Sequence, residues 1–335
     1  MEQSGKAALV TKTALVLGAT GGVGGEVART LVRRGWRVLA LQRDPAKAAG
    51  IDGVTWIAGD AMVRGDVVDA ARGADVIVHA VNPPGYRDWD KLVLPMLDNT
   101  IAAAAAAVPG GARILLPGTI YNYGSGSAPV LSETTPQQPS SRKGDIRVRM
   151  EQRLREAALH GVKALVVRSG DFFGPRAGNS WFSQGLVTPG QALTKVTYPG
   201  APGVGHAWAY LPDLADTMVR LLEQEARLDA FDSFHFRGHV DHDGTQLTAA
   251  IMRVAGNPAI RVRRLPWTLL RLLSPFSTFF REAGEMRYLW EQRFELDNAK
   301  LLRMLGSETH TPLDEAMLAS LRALGCLPEG VPAPA

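Results

Sequence analysis

The sequence predicts an α/β fold: a doubly wound parallel sheet with helices on both faces, followed by a smaller C-terminal lobe. Three observations carry that expectation. Short apolar runs alternate with helical patterns through the first half of the chain. Those runs are apolar throughout, as in strands buried on both faces. The first strand-to-helix turn is rich in glycine, with Gly18, Gly21 and Gly24 three residues apart.

The first strand is expected at Ala14–Leu17, and a helix over Gly24–Arg34 with Val23, Val27 and Leu31 on one face. The turn between them needs backbone conformations that side chains forbid, and main-chain N–H groups that a ligand can approach closely. The helix start adds unsatisfied donors and a positive dipole end. Strand, glycine turn and helix in that order suit a dinucleotide pyrophosphate. Gly18, Thr20, Gly21, Gly22, Val23 and Gly24 are therefore candidate cofactor-binding residues.

Further strands are expected at Arg37–Leu41, Val54–Ile57, Val76–Ala80, Ile114–Leu116 and Leu165–Arg168. Helical patterns near Val67–Arg72, Trp89–Val108 and Arg147–His160 lie between them. Ligands of such sheets bind beyond the carboxyl ends of the strands, so the loops after these strands should line one site. After about Gly174 the rhythm changes. Gly and Pro become frequent from Pro175 to Val204, and helical patterns follow at Leu214–Glu225, Leu247–Ala255, Trp267–Phe280 and Pro312–Leu324. The expected division is an extension over 1–12, a dinucleotide-binding domain over 13–174, a substrate lobe over 175–327 free to recross into the sheet, and a flexible tail over 328–335.

A chain of 335 residues with 46% apolar content can bury a large core. Its 37 basic and 33 acidic residues leave a net charge of +4, too mild to argue for nucleic acid, and no basic cluster interleaves with aromatics. The densest basic run, Arg261-Val262-Arg263-Arg264, reads as a solvated edge beside a helix. One cysteine, Cys326, excludes an internal disulfide and a cysteine metal cluster, and no metal is expected. The first twelve residues lack the apolar core of a secretion signal. The apolar stretch Leu265–Phe280 is broken by Arg271 and Pro275 and is too short to span a bilayer. A cytoplasmic protein with a small-molecule substrate is expected, with no nucleic-acid or membrane partner and a homodimer allowed.

The glycine spacing, together with Gly59-Asp60, Asn82-Pro83-Pro84, Asn99, Thr119 and Tyr123-Gly124, resembles the extended short-chain dehydrogenase/reductase superfamily, which includes the nucleotide-sugar epimerases and dehydratases. The segments from Arg168 to Pro175 and from Tyr210 to Ala215 resemble its later motifs, so the likeness covers nearly the whole chain. It implies a Rossmann-type domain, a nicotinamide cofactor and a substrate lobe. By that resemblance Asp60, with Ala61 beside it, matches the acid that bonds the adenine amine, although a helix N-cap would look the same. Ala80, Val81 and Asn82 match the loop against the nicotinamide ribose, and Asn99 a structural asparagine. Thr119 matches the hydroxyl that holds the substrate oxygen; a threonine capping a turn would look the same.

Cofactor choice is read at the end of the second strand. An acid there holds the ribose hydroxyls of NAD. This chain has Leu41-Gln42-Arg43-Asp44-Pro45, and Arg43 offers a charged fork suited to a 2′-phosphate, so NADP is expected over NAD. The superfamily's Tyr-x-x-x-Lys pair is replaced. Counting back from Glu151 puts Lys143 at the tyrosine position and Arg147 at the lysine position. Thr119, Lys143 and Arg147 are thus the catalytic candidates, with Arg147 also holding ribose. Asp171 and His206 stand where sugar-nucleotide enzymes carry groups facing a diphosphate, which lowers the expected affinity for polyanions. The nearby aromatic residues, among them Phe172, Phe173, Phe182 and Trp208, suit an apolar pocket or an interlobe core. The leading expectation is hydride transfer between NADP(H) and a carbonyl, alcohol or sugar-like substrate. A nucleotide-sugar epimerase or dehydratase and a non-catalytic NADP(H)-sensing regulator are the alternatives.

Overall fold

The computed structural model describes residues 11–48, 50–83, 89–178, 180–273 and 278–327. Most of the N-terminal extension, Pro84 and the tail over 328–335 lie outside the described residues. In chain order the strands are β1 Thr13–Leu17, β2 Arg37–Gln42, β3 Val54–Ala58, β4 Val76–His79, β5 Arg113–Thr119, β6 Val130–Leu131 and β7 Lys163–Ser169. They continue as β8 Asp171–Phe173, β9 Lys195–Tyr198, β10 His206–Tyr210, β11 Phe231–His235, β12 His239–Asp241, β13 Arg261–Arg264 and β14 Glu295–Leu296. The helices are α1 Gly22–Arg33, α2 Arg64–Ala70, α3 Trp89–Ala107, α4 Arg142–Leu159, α5 Leu211–Leu222 and α6 Gln246–Val254. They continue as α7 Trp267–Leu273, α8 Thr278–Glu285, α9 Tyr288–Glu291, α10 Ala299–Leu305 and α11 Leu313–Ala323.

Seven parallel strands make the central sheet in the order β11-β7-β5-β4-β1-β2-β3. Alternation along β1 shows why it is covered on both sides. Ala14 and Val16 pack with Val27 and Leu31 of α1 and Leu214 and Met218 of α5. Leu15 and Leu17 pack with Val67 of α2, Val93 and Leu97 of α3 and Ile146 of α4. Each buried Val, Leu, Ile or Met among these stabilises by about 1.5–3 kcal/mol. The order reverses between β1 and β4, which opens a crevice at the carboxyl ends of those strands.

All six expected strands are present. α4 starts at Arg142, five residues before the expected Arg147, because Ser141 accepts the Gly144 N–H at 3.1 Å and caps the helix. The pattern expected over Trp267–Phe280 is carried by two helices, α7 and α8. No strand is expected over 231–235, although the second half is read as free to recross into the sheet; β11 takes the sheet edge beside β7. A third core holds the rest of the second half together, with Phe173, Phe182, Trp208, Leu247, Trp290 and Met317 all buried in it. No helix among the described residues is long and apolar enough to cross a membrane.

Candidate functional site

A cleft of about 580 Å³ opens at the carboxyl ends of β1 to β5. Its wall takes Gly18, Thr20, Gly21, Gly22 and Val23 from the glycine turn and Leu41, Gln42 and Arg43 from the end of β2. The loops after β3 and β4 contribute Gly59, Asp60, Ala61, Ala80, Val81 and Asn82, and Thr119 of β5 and Arg147 of α4 complete it. Parallel strands place these distant segments side by side because each connection returns the chain to the same end of the sheet, over an α-helix everywhere but between β2 and β3.

The glycines divide by purpose. Gly18 has φ +90°, and a Cβ there would lie 2.5 Å from the Ala80 carbonyl oxygen. Gly24 lies off the wall, beneath the turn, where a Cβ would meet the Gly18 oxygen at 2.3 Å. It lets α1 press close to the strand. Gly21 is different: its φ is −84°, and the nearest atom to a Cβ would be the Gly18 oxygen at 3.3 Å. The fold itself does not demand a glycine at 21. A Cβ there would stand on the cleft wall. α1 starts at this turn with no side-chain N-cap bond and no acid in its first turn.

At the end of β2, Gln42 Oε1 accepts the Arg43 N–H at 3.0 Å. Asp44 pairs with Lys47 at 2.8 Å, and the wall at this end carries Arg43 and, from the loop after the neighbouring β3, Asp60. Asp60 is not the cap of α2, which starts at Arg64. Its Oδ1 accepts the Met62 N–H at 2.9 Å and closes a turn on the wall. Asn99 donates to the Ala61 carbonyl at 2.9 Å, tying α3 to that loop.

Thr119 faces the cleft and also stabilises its own turn, its hydroxyl accepting the Tyr121 N–H at 3.2 Å. Arg147 donates to Asn82 Oδ1 at 3.2 Å, and its guanidinium lies 5.2 Å over the Trp89 ring. The structure thus brings Arg147 to the loop beside the expected nicotinamide end. Lys143 is buried one turn earlier and is not on the cleft wall. The first turn of α4 packs behind the β5 loop, where a Cβ at Gly144 would lie 2.2 Å from the Tyr121 oxygen.

Several groups near the site were not anticipated. His79, at the end of β4, lines the cleft with Nδ1 2.8 Å from the Thr100 hydroxyl. That hydroxyl donates to Met96 O at 3.0 Å, so His79 Nδ1 carries the hydrogen. Burial, then the nearby Arg147 charge, pushes its pKa down to about 3. Asp171 and His206, read in the sequence as separate changes, are partners: His206 Nε2 lies 2.8 Å from Asp171 Oδ2. Tyr121 donates to the other carboxylate oxygen at 2.8 Å, and the His206 ring stacks on Trp290 at 3.7 Å. Phe173, Phe182 and Trp208 belong to the interlobe core, whereas Phe172 lines the cleft.

Beneath the Thr119 loop lies a buried charged network. Arg168 donates to both oxygens of Glu151 at 2.9 and 2.5 Å and to the Tyr123 hydroxyl at 3.1 Å. Asn122 adds a bond to Glu151 at 2.8 Å. Burial lowers the His235 pKa to about 3, with Arg168 adding to the effect, and burial raises that of Tyr123 to about 12. Among the described residues no group of three or more His, Cys, Asp or Glu is arranged to hold a metal ion.

A family model described as the NAD dependent epimerase/dehydratase family matches residues 14–235. Among solved structures, DesIV from Streptomyces venezuelae, a dTDP-glucose 4,6-dehydratase with NAD and TYD bound, is 18% identical, with a TM-score of 0.70 over 93% of this chain and 96% of that one. WbmH from Bordetella bronchiseptica in complex with NAD+ is 18% identical, with a TM-score of 0.69 over 94% and 100%. A nucleoside-diphosphate-sugar epimerase from Pseudomonas aeruginosa is 19% identical, with a TM-score of 0.67 over 94% and 97%. At these identities the likeness establishes the fold. No curated protein matches the sequence.

Proposed function

Because this chain belongs to the NAD dependent epimerase/dehydratase family, we propose that it is a nicotinamide-dependent enzyme moving hydride between NADP(H) and a carbonyl, alcohol or sugar-like substrate. The observation that carries the reading is the single cleft in which the glycine turn, Arg43, Thr119 and Arg147 meet. The nicotinamide, when bound, supplies a carbon that accepts or gives hydride. The chain supplies the rest. The glycine turn from Gly18 to Val23 holds the pyrophosphate, through the N–H groups left at the start of α1 once Gly21 N–H has closed the turn on Gly18 O, and Asp60 with Ala61 takes the adenine. Ala80, Val81 and Asn82 lie against the nicotinamide ribose, with Arg147 fixed beside them by its bond to Asn82. Thr119 holds the substrate oxygen. Lys143 is assigned the proton; a lysine does this only in a desolvated setting, and Lys143 is 5% exposed.

NADP is favoured because the Arg43 guanidinium matches a 2′-phosphate and Asp44, next to it in the chain, is engaged with Lys47. The test is fluorescence titration of the purified protein with NADPH and NADH. NADPH should bind more tightly, and Arg43→Glu should reverse the order. Equal affinities, unchanged by the substitution, would end the NADP assignment. A second reading, a regulator that binds NADP(H) without turnover, draws support from the position of Lys143 off the cleft wall. The nucleotide-sugar epimerase or dehydratase reading has the relatives' bound ligands in its favour.

A further inference from the structure

We propose a second ligand site, for a phosphate-bearing anion, at the edge formed by β9 and β13. The two strands pair in parallel with Arg261 opposite Lys195 and Arg263 opposite Thr197. Side chains alternate along a strand, so Arg261 and Arg263 share a face. Both are exposed, as is Lys195. A depression of about 340 Å³ lies among them, walled by Thr194, Lys195, Asn257, Ala259, Arg261 and Arg263. No carboxylate is on that wall. Among the described residues, none of the three cations has an ion pair or a side-chain hydrogen bond. Several exposed arginines elsewhere are matched, Arg72 with Asp69, Arg253 with Asp314 and Arg287 with Glu291, and what sets this edge apart is the gathering of three cations around one hollow.

Like charges directly opposite across paired strands destabilise the ladder. Placing a third cation around the same hollow adds to that cost, and an anion seated there removes it. Basic residues that only guard an edge against another strand need neither the lysine on the paired strand nor the hollow. Arg264 points to the other face and is spent on the Gly200 carbonyl at 2.9 Å. The wall is a donor set of two guanidinium forks, an ammonium and the Thr194 hydroxyl. Asn257 joins it through its amide nitrogen, since its Oδ1 already accepts the Ala259 N–H at 3.0 Å. Several donors around one hollow call for a compact ligand that only accepts and carries more than one charge, which is the chemistry of phosphate. A free polyphosphate and an anionic lipid headgroup both present it.

The test is calorimetric titration of the full chain with tripolyphosphate, beside co-sedimentation with phosphatidylglycerol and phosphatidylcholine vesicles. Three proteins are compared: the parent, Arg261→Ala/Arg263→Ala, and Arg37→Ala/Arg303→Ala, which removes two exposed arginines elsewhere. A binding event should weaken by about tenfold or more in the first variant and persist in the control. Any event at the glycine turn stays in all three. Loss of the tripolyphosphate event identifies a free anion; loss confined to phosphatidylglycerol vesicles identifies a lipid headgroup. Isotherms and sedimentation alike in parent and Arg261→Ala/Arg263→Ala protein, or an equal loss in the control, overturn the site.

Discussion

Arg168→Met takes a fully buried guanidinium out from between Glu151, Tyr123 and His235. Glu151, 2% exposed, then loses bonds of 2.9 and 2.5 Å and keeps those from Asn122 and Gln137, each 2.8 Å. Removing one member of a buried ion pair costs about 3–5 kcal/mol, because the other charge is left without its counter-ion. Two surviving amide donors hold the loss near the lower end, about 3 kcal/mol. That is a large part of a total of about 5–15 kcal/mol, yet it leaves a folded protein to measure. The assay is urea unfolding followed by tryptophan fluorescence, with the denaturant slope checked for constancy. Adding Glu151→Gln should return at least half of the loss, since the charge that suffers is then gone. A cost below about 1 kcal/mol for Arg168→Met, or no recovery in the double variant, would refute the view that this pair anchors the loop carrying Thr119.

Gly21→Val should abolish binding of NADP(H) while leaving the melting temperature nearly unchanged, because a Cβ there meets only Gly18 O, at 3.3 Å, and the position lies on the cleft wall. A well-folded variant that still binds would place the pyrophosphate elsewhere. Lys143→Met should leave cofactor binding intact and lower turnover by about 10²–10⁴-fold, with Thr119→Val similarly damaging; turnover unaltered in both removes their assigned roles. His79 and His235 have folded pKa values of about 3, below the ordinary 6.5, so the unfolded chain takes up protons first as pH falls. Their contribution to stability is complete above pH 6.5 and is lost between 6.5 and about 3, at up to about 1.4 kcal/mol per pH unit for each histidine. Urea unfolding at pH 7 and pH 5 should show the decline, and His235→Asn should flatten it; equal stability at both pH values would show that neither histidine is held neutral.

The central sheet was legible because strands buried on both faces have to be apolar along their whole length, and Leu15, Ile77, Leu115 and Val166 are. β11 escaped because its run, Phe231-Asp-Ser-Phe-His235, carries polar groups whose partners are remote. Asp232 bonds Lys300, and His235 bonds Tyr123 and Leu131. Gly18, Arg43, Asp60, Asn82, Thr119 and Arg147 could be placed at strand ends and helix starts through motif spacing, which fixes where each lies along its own element but passed over His79. Spacing does not fix how a helix start packs, so the position of Lys143 behind the β5 loop was hidden. Asp171 and His206 were visible as unusual residues but not as a pair, since only the pairing of β8 with β10 brings them together.

The edge strand β11 also dictates the order in which this chain can complete itself. β7 pairs with β5 on one side, and its other edge is covered by residues 231–235, which are synthesised later. On the ribosome, therefore, the first half emerges with a row of open backbone donors and acceptors along a strand whose Ala164 to Val167 run is wholly apolar. Such an edge is a template for another nascent chain. The segment that closes it arrives only after β8, β9, β10 and α5 have been made. Residues 13–174 expressed alone should accordingly aggregate, and adding the chain through His235 should restore solubility by capping the sheet rather than by adding any contact at the cleft.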